Sequence, residues 1–262
     1  MSHFRVWPWP RVLAHRGAGI LAPENTLAAL RIGFEHGFRA VEFDAMAPRD
    51  DDPVLIHDDT LDRTAGIHGD VTSRTADQLA QLDAGRWHSP AFAGEPVPRL
   101  SEALAYCRAC SIWPNVEIKP APGHEARTGE LVARAVARAY AEVVTPGGDD
   151  PARLDARVPL LSSFAVDSIV AARRAAPDLP RALLIDAIPE DWRTLLERSA
   201  AASLNTNHMA LTQERAREIK QAGYWLFCYT VNEPDRAREL LSWGVDAFCT
   251  DRIDLIGPDF AG

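Results

Sequence analysis

The chain has 262 residues, of which 47% are hydrophobic and 25% are charged, so it can bury a large core and its length suits a single domain. Its formal charge of −9 argues against a nucleic-acid surface, because phosphate backbones are bound by an excess of Lys and Arg. No apolar run approaches the roughly 20 residues of a membrane span, and the N-terminus lacks the apolar core of a signal peptide, so we expect a soluble, cytoplasmic protein that does not bind membranes.

The first predicted strand covers residues 11–15 and ends on His15, with Arg16 directly after it. After a loop, Asn25 is the predicted N-cap of a helix, because the apolar residues that follow it recur at helical spacing. This places a histidine and an arginine at the end of a buried strand.

The second predicted strand, 40–44, carries Glu42 and Asp44, which point to the same side because side chains alternate along a strand. The next apolar run, 53–57, begins too soon after it for a helical crossover of a dozen residues or more. We therefore predict that it returns antiparallel as a hairpin arm, which brings His57 back to the level of Asp44.

Residues 58–99 are rich in turn residues, and we predict that they form an insertion, or lid, over one end of the fold. Beyond it, helices alternate with six further predicted strands: 115–118, 159–162, 181–185, 203–205, 224–229 and 247–249. With the hairpin arm set aside, eight strands remain, which predict a single (β/α)₈ TIM barrel spanning 1–262. The active site of such a barrel lies at the C-terminal ends of its strands.

The candidate reactive side chains obey that rule. Glu42, Asp44 and Glu117 supply three carboxylates from two strands that would be neighbours, and all-oxygen ligation of this kind suits Mg²⁺, Ca²⁺ or Mn²⁺. Lys119 shares the inward face of Glu117, and Arg16 offers a planar fork of donors, so both can bind a phosphate ester beside the metal.

Two histidines could supply the proton transfers. Displacement at a phosphodiester needs one proton taken from the attacking oxygen and one given to the leaving alcohol, and two imidazoles can do both. We expect His15 to act as the base and His57 as the acid, although the sequence leaves the order of these roles open. Five other histidines are expected to be structural: His3, His36, His68, His88 and His124.

Seven motifs occur in order along the chain: AHRGAGILAPENTLAAL, VEFDA, VLIHDDTLDRT, NVEIKP, LLSSF, YTVNEP and GVDAFCTDRID. Together they resemble the glycerophosphodiester phosphodiesterase family, closest to its cytoplasmic bacterial members associated with glycerol 3-phosphate uptake. The resemblance implies a barrel of the phospholipase-C-like phosphodiesterase type, with a small insertion after the second strand, and one divalent cation, Mg²⁺ or Ca²⁺. It implies hydrolysis of glycerophosphodiesters to sn-glycerol 3-phosphate and an alcohol.

By motif position, the resemblance assigns the metal ligands to Glu42, Asp44 and Glu117, the acid/base pair to His15 and His57, and phosphate binding to Arg16 and Lys119. We expect the substrate pocket to include Ser163, Phe164, His208, Tyr229 and Asn232.

Several alternatives stay open. The glycerol hydroxyl next to the ester could attack first and give a cyclic phosphate, or water could attack directly. A lyase on the same barrel would stop at the cyclic phosphate, and a binding protein would not turn its ligand over. We expect a monomer or a homodimer with a small-molecule substrate, and comparable rates for choline and ethanolamine esters because the alcohol would be loosely held.

Overall fold

A computed structural model describes residues 6–147 and 154–261. Within these ranges the strands are β1 (Val12–Ala14), β2 (Ala40–Met46), β3 (Val54–Leu55), β4 (Trp113–Ile118), β5 (Leu160–Ser163), β6 (Arg181–Ile185), β7 (Ser203–Asn207), β8 (Trp225–Tyr229) and β9 (Ala247–Thr250). The α-helices are α1 (Leu27–Glu35), α2 (Asp62–Ala65), α3 (Ala76–Leu79), α4 (Leu100–Ala109), α5 (Glu125–Ala139), α6 (Val166–Ala175), α7 (Trp192–Ser199), α8 (Gln213–Gln221) and α9 (Pro234–Ser242). His3 lies outside the described residues.

Eight of these strands are parallel and close into a barrel. β1 pairs with both β9 and β2, which joins the two ends of the sheet. β3 pairs with β2 in the antiparallel direction, and the backbone N–H of Ile56 donates to the carbonyl oxygen of Asp44 at 3.2 Å. The predicted (β/α)₈ barrel with its hairpin arm is confirmed, and His57 follows Ile56 at the level of Asp44.

The start of α1 differs from the prediction, which was wrong by one residue. Thr26, not Asn25, is the N-cap, because its hydroxyl oxygen accepts a hydrogen bond from the backbone N–H of Ala29 at 3.1 Å. Asn25 has a φ of 58° and directs its side chain toward Asp44 instead. A residue that resembled a local cap therefore joins the loop before α1 to β2.

Aromatic side chains fill the N-terminal end of the barrel. Trp113 and Trp225 begin β4 and β8, and Trp9 stacks on Trp113 with 4.5 Å between ring centroids. Trp9 also contacts Trp225 edge to face, and all three rings are buried. This packing closes one end of the barrel, so a ligand has access at the C-terminal end.

The insertion predicted at 58–99 is more ordered than its turn-rich composition indicates. It holds α2 and α3 and has a small apolar core that includes Leu61, Val71 and Leu79. It also reaches the segment between β1 and α1, where His88 Nε2 lies 3.0 Å from the carbonyl oxygen of Ile20. Across the described ranges, no helix is both long and apolar enough to cross a membrane.

Candidate active site

Three carboxylates from two neighbouring strands meet at the C-terminal end of the barrel. Glu42 and Asp44 lie on β2, and Glu117 lies on β4 directly opposite Asp44 in the parallel register. Oxygen atoms of the three side chains lie within 4.8 Å of one another. Glu42 and Asp44 are buried and Glu117 is 9% exposed. The structure thus brings together the three predicted metal ligands.

Nearby cations balance this charge only in part. Arg16 Nε lies 3.4 Å from Asp44 Oδ2, and Lys119 Nζ lies 3.0 Å from Glu117 Oε1. Burial alone would raise the pKa of Asp44, but the neighbouring cations hold it below its usual value. Burial and then the repulsion of neighbouring carboxylates raise the pKa of Glu42 well above its usual value and that of Glu117 to about 7. A further positive charge would relieve this repulsion.

The donor set fits a divalent cation. Glu42 Oε1 is buried and has no hydrogen-bond partner among the described residues, while Oε2 accepts from the backbone N–H of Arg16 at 3.2 Å. A free, buried carboxylate oxygen is costly unless a proton or a metal ion occupies it. Oxygen ligands on rigid strands suit Mg²⁺ or Ca²⁺, so Glu42, Asp44 and Glu117 are the side chains that would hold the ion.

Asp251 orients His15. The Oδ1 atom of Asp251 lies 2.6 Å from His15 Nδ1, and its Oδ2 accepts from the side-chain amide of Asn232 at 3.1 Å. Burial would raise the pKa of Asp251, but the bonds and charge of His15 and Asn232 hold it below its usual value. An ionised Asp251 makes His15 Nδ1 the donor, and Nε2 is then the ring nitrogen available for proton transfer.

His57 is oriented in the same way by its neighbour in sequence. Its Nδ1 lies 2.6 Å from Asp58 Oδ1, and Arg63 Nε donates to Asp58 Oδ2 at 2.7 Å. The hydrogen bond from Arg63 is the main reason why the pKa of Asp58 falls to about 2. In both histidines, Nδ1 is therefore hydrogen-bonded to a carboxylate, which leaves Nε2 available for proton transfer.

Arg63 connects the two halves of the site. Besides Asp58, it donates to both carboxylate oxygens of Glu24, at 2.6 and 2.8 Å. Glu24 in turn accepts from Arg16 Nη1 at 2.8 Å. One side chain of the insertion thus fixes the carboxylate that orients His57 and the carboxylate that orients Arg16.

The backbone of Arg16 is itself unusual. Its φ of 50° is uncommon for a residue other than glycine, and Gly17 follows with a φ of 100°. This sharp turn directs the backbone N–H of Arg16 at Glu42 and its side chain at Asp44. Backbone conformations of this kind are held at functional sites by their surroundings, here by both carboxylates.

One cavity of 190 Å³ opens beside these groups. Its walls include both predicted acid/base histidines, both predicted phosphate-binding cations and two of the three carboxylates: His15, His57, Arg16, Lys119, Glu42 and Glu117. Phe164 and Tyr229 line it as well, with their rings 5.7 Å apart and nearly perpendicular. Lys119 Nζ lies 5.4 Å from the centroid of the Phe164 ring.

The other three predicted pocket residues do not line this cavity. Ser163 donates its hydroxyl hydrogen to the carbonyl oxygen of Ile118 at 2.6 Å, so it joins β5 to β4. His208 contacts Arg236, and burial, with the charge of that arginine, lowers its pKa. Asn232 donates to the side chain of Asp251 and accepts from its backbone N–H, so it acts on the site through Asp251.

The sequence analysis missed four residues of the site. Asp251, Asp58, Glu24 and Arg63 all lie within the quoted motifs, but none was predicted to orient a histidine or Arg16. The sequence feature that could have revealed the role of Asp58 is its position directly after His57. The bond between His15 and Asp251 joins residues 236 positions apart, so no local pattern reveals it.

The sequence profile of the glycerophosphoryl diester phosphodiesterase family matches residues 15–255. A glycerophosphodiester phosphodiesterase of Caldanaerobacter subterraneus is 32% identical over 245 residues, which cover 92% of this chain and 93% of that protein. A glycerophosphodiester phosphodiesterase of Bacillus subtilis is 27% identical over 256 residues, which cover 93% of this chain and 84% of that protein.

A solved structure of a phosphodiesterase is also similar to this chain. A phosphodiesterase of Oleispira antarctica, in complex with the product sn-glycerol-3-phosphate, is 32% identical and superposes with a TM-score of 0.81. The superposition covers 92% of this chain and 93% of that one.

Proposed function

Because the chain belongs to the glycerophosphoryl diester phosphodiesterase family, whose members are phosphoric diester hydrolases, we propose that it hydrolyses glycerophosphodiesters to sn-glycerol 3-phosphate and an alcohol. Glycerophosphocholine and glycerophosphoethanolamine are the substrates to test first. The observation that carries the proposal is that His15, His57, Arg16 and Lys119 all line one cavity beside the acidic cluster. The product bound to the Oleispira antarctica relative supports the glycerol 3-phosphate half.

The phosphate of the substrate binds between Arg16 and Lys119. Both side chains line the cavity, and each is held by a carboxylate at one end, which limits the conformational freedom that binding must remove. Arg16 offers planar N–H donors to two oxygens and Lys119 offers a point charge. Together they stabilise the negative charge that builds on the phosphoryl oxygens during displacement.

His15 and His57 carry the two proton transfers. His15 Nε2 takes the proton of the attacking hydroxyl, and His57 Nε2 gives a proton to the oxygen of the leaving alcohol. Asp251 stabilises the imidazolium that forms on His15, and Asp58 stabilises the protonated form of His57 from which the proton leaves. The attacking hydroxyl belongs either to water or to the glycerol carbon next to the ester.

The family generally depends on a divalent metal ion. Glu42, Asp44 and Glu117 would hold such an ion, which would supply a Lewis acid able to polarise the phosphoryl group and neutralise its charge. We propose Mg²⁺ or Ca²⁺, with Mn²⁺ as an alternative, because all three ligands are carboxylate oxygens. The cytoplasmic location and the monomeric or homodimeric state stay predictions from the sequence.

Product analysis by phosphorus NMR tests the function directly. Glycerophosphocholine incubated with the protein and Mg²⁺ should give glycerol 3-phosphate and choline as end products. A cyclic phosphate that accumulates without opening would indicate a lyase. If the protein binds the diester but does not turn it over with Mg²⁺, Ca²⁺ or Mn²⁺ present, it is a binding protein.

Arg63→Ala is expected to lower kcat by about tenfold, because it releases the carboxylates that orient His57 and Arg16. The effect should be modest, since Arg63 is partly exposed and solvent screens its ion pairs. The pKa of Asp58 should rise, and the pH profile of kcat should change with it.

Arg86→Ala is the matched control for this variant. Arg86 lies in the same insertion and pairs with Asp83 at the surface. It should leave both kcat and the pH profile unchanged. An Arg63 variant with the wild-type profile would show that Arg63 does not position the histidine.

We expect the stabilisation by a divalent cation to increase with pH. Without the ion, the pKa of Glu117 is about 7, above its ordinary value, so between pH 4.5 and about 7 this carboxyl group is more often protonated in the folded protein than in the unfolded chain. The contribution of Glu117 to the stability of the ion-free protein therefore falls as pH rises through this window. A cation that binds the ionised carboxylates removes this loss.

Thermal unfolding with and without EDTA measures the effect. The increase in Tm on adding Mg²⁺ or Ca²⁺ should be larger at about pH 8 than at about pH 5.5. Differences taken at one pH cancel the contributions of all other titrating groups. An increase in Tm that is equal at both pH values would show that stabilisation by the ion does not depend on the raised pKa of Glu117.

A further inference from the structure

A second cavity lies against the first. It has a volume of 410 Å³, and its walls include Ile20, Glu24, Trp87 and Asp251. Among the described residues, His15 and Arg16 line both cavities, so they form the boundary between them. The boundary is thus made by the proposed base and one of the two proposed phosphate-binding residues.

Most polar groups of the second cavity already have partners, although His88 Nδ1 is buried without one among the described residues. Both oxygens of Glu24 accept from Arg16 or Arg63, and Trp87 Nε1 donates to the carbonyl oxygen of Ala84 at 2.8 Å. Asp251 likewise accepts from His15 and Asn232. The groups most exposed to a ligand are apolar or aromatic: the ring of Trp87, which is 42% exposed, and the side chain of Ile20, which is 54% exposed.

The first cavity has the opposite character. Asn115 Oδ1, Ser162 Oγ and the Tyr229 hydroxyl are buried there and have no hydrogen-bond partner within the described ranges. Buried polar atoms without partners favour a ligand that supplies hydroxyl groups. The first cavity therefore suits the glycerol arm of a diester.

A phosphodiester has two arms that diverge from one phosphorus atom. With that phosphorus beside His15 and Arg16, one arm can enter each cavity. Building on the proposed function, we propose that the cavity lined by Trp87 and Ile20 binds the alcohol arm, and that it favours alcohols with a methylated ammonium group, such as choline, over polyhydroxy alcohols. The exposed ring of Trp87 attracts such a cation by a cation–π interaction, and its N–H offers nothing to a hydroxyl.

The cations near the cavity are already paired with carboxylates. Glu24 and Asp251 add two carboxylates to the wall, which Arg16 also lines, and Arg16 donates to Glu24. Arg63, whose Cζ lies 5.8 Å from the centroid of the Trp87 ring, donates to Glu24 and Asp58. A quaternary ammonium group keeps only weakly held water, so it loses little hydration when it packs against an indole ring and aliphatic side chains. A polyhydroxy alcohol would lose hydrogen bonds to water and find most of the polar groups already engaged. The inference thus differs from the expectation from the sequence that the alcohol is loosely held.

The test compares kcat/KM for three diesters that share the glycerol 3-phosphate half: those of choline, ethanolamine and glycerol. Wild-type protein should prefer the choline ester. Trp87→Ala should lower kcat/KM for the choline ester roughly 3- to 30-fold, the range of a cation–π contact at a partly desolvated site, and leave the diester of glycerol within about twofold. Trp87→Leu should behave like Trp87→Ala, because it keeps apolar bulk but loses the aromatic face.

Phe164→Ala is the comparison variant in the first cavity. It should lower kcat/KM for all three esters by a common factor. Equal effects of Trp87→Ala on all three esters, or no effect on any, would overturn the inference.

A binding measurement on choline keeps the inference testable if both Trp87 variants unfold. Saturation-transfer NMR on the choline methyl protons should detect binding to wild-type protein, and no transfer would overturn the inference. Failure of wild-type protein to cleave any of the three esters would instead contradict the proposed function.

Discussion

Glu42→Gln, Asp44→Asn and Glu117→Gln are each expected to lower the turnover of glycerophosphocholine by about 10³-fold or more. Each removes an anionic ligand from the buried cluster, and Lewis-acid stabilisation of a phosphoryl transition state is worth several kcal/mol, at ~1.4 kcal/mol per tenfold. Initial rates and the metal content by elemental analysis measure the two consequences together. EDTA should have the same effect on wild-type protein, and Mg²⁺, Ca²⁺ or Mn²⁺ should restore the activity.

Glu130→Gln on α5 is the matched control, because its carboxylate pairs with Arg134 at the surface. It should keep wild-type turnover and metal content. In EDTA, Glu42→Gln should unfold at the same temperature as wild-type protein or a higher one, since glutamine resembles the neutral acid that burial favours at this position. Full activity in excess chelator with no metal present would refute the metal assignment, and loss of the folded circular dichroism spectrum in all three variants would mark these carboxylates as structural.

His15→Ala and His57→Ala should each lower kcat by roughly 10²- to 10⁴-fold, the usual contribution of a proton-transfer group. Binding of glycerol 3-phosphate should be mostly kept, because Arg16 and Lys119 remain in place. The double variant should lose less than the product of the two single losses, since both groups serve one displacement. Single-turnover kinetics and isothermal titration with glycerol 3-phosphate separate the chemical step from binding.

Two further variants sharpen this experiment. His124→Ala removes an exposed histidine ahead of α5 and should leave kcat unchanged. Asp251→Asn keeps the size of the side chain but removes the charge that stabilises a protonated His15, so its loss should be smaller than that of His15→Ala. Wild-type kcat in either His15→Ala or His57→Ala would exclude that histidine from the mechanism.

The acidic core of the site was predictable because it depends on short spacings. Glu42 and Asp44 had to share a face of their strand, and Glu117 and Lys119 had to share a face of theirs. The return of His57 followed from the length of the connection after β2, which is too short for a crossover. Each of these inferences uses geometry that holds within a few residues of chain.

The orienting contacts around that core were not predictable in this way. Asn25 resembled a helix cap, but its side-chain amide donates to Asp44 Oδ2 at 2.8 Å and its oxygen accepts from the backbone N–H of Asp44 at 3.0 Å. Glu24 and Arg63 are 39 residues apart and meet only because the insertion reaches the loop after β1. Their partners come from other strands and loops, so the local sequence carries no sign of them.

The sequence by itself determined the barrel, the strand ends that carry the reactive groups, and the type of chemistry those groups can perform. These properties follow from side-chain alternation, helix periodicity and connection lengths, all of which act over short stretches of chain. Only the tertiary structure decided how His15, His57 and Arg16 are oriented, which aromatic rings line a cavity, and that a second cavity lies behind His15. Orientation and cavity shape depend on contacts between segments far apart in sequence, such as His15 and Asp251, and closure of the barrel is what brings those segments together.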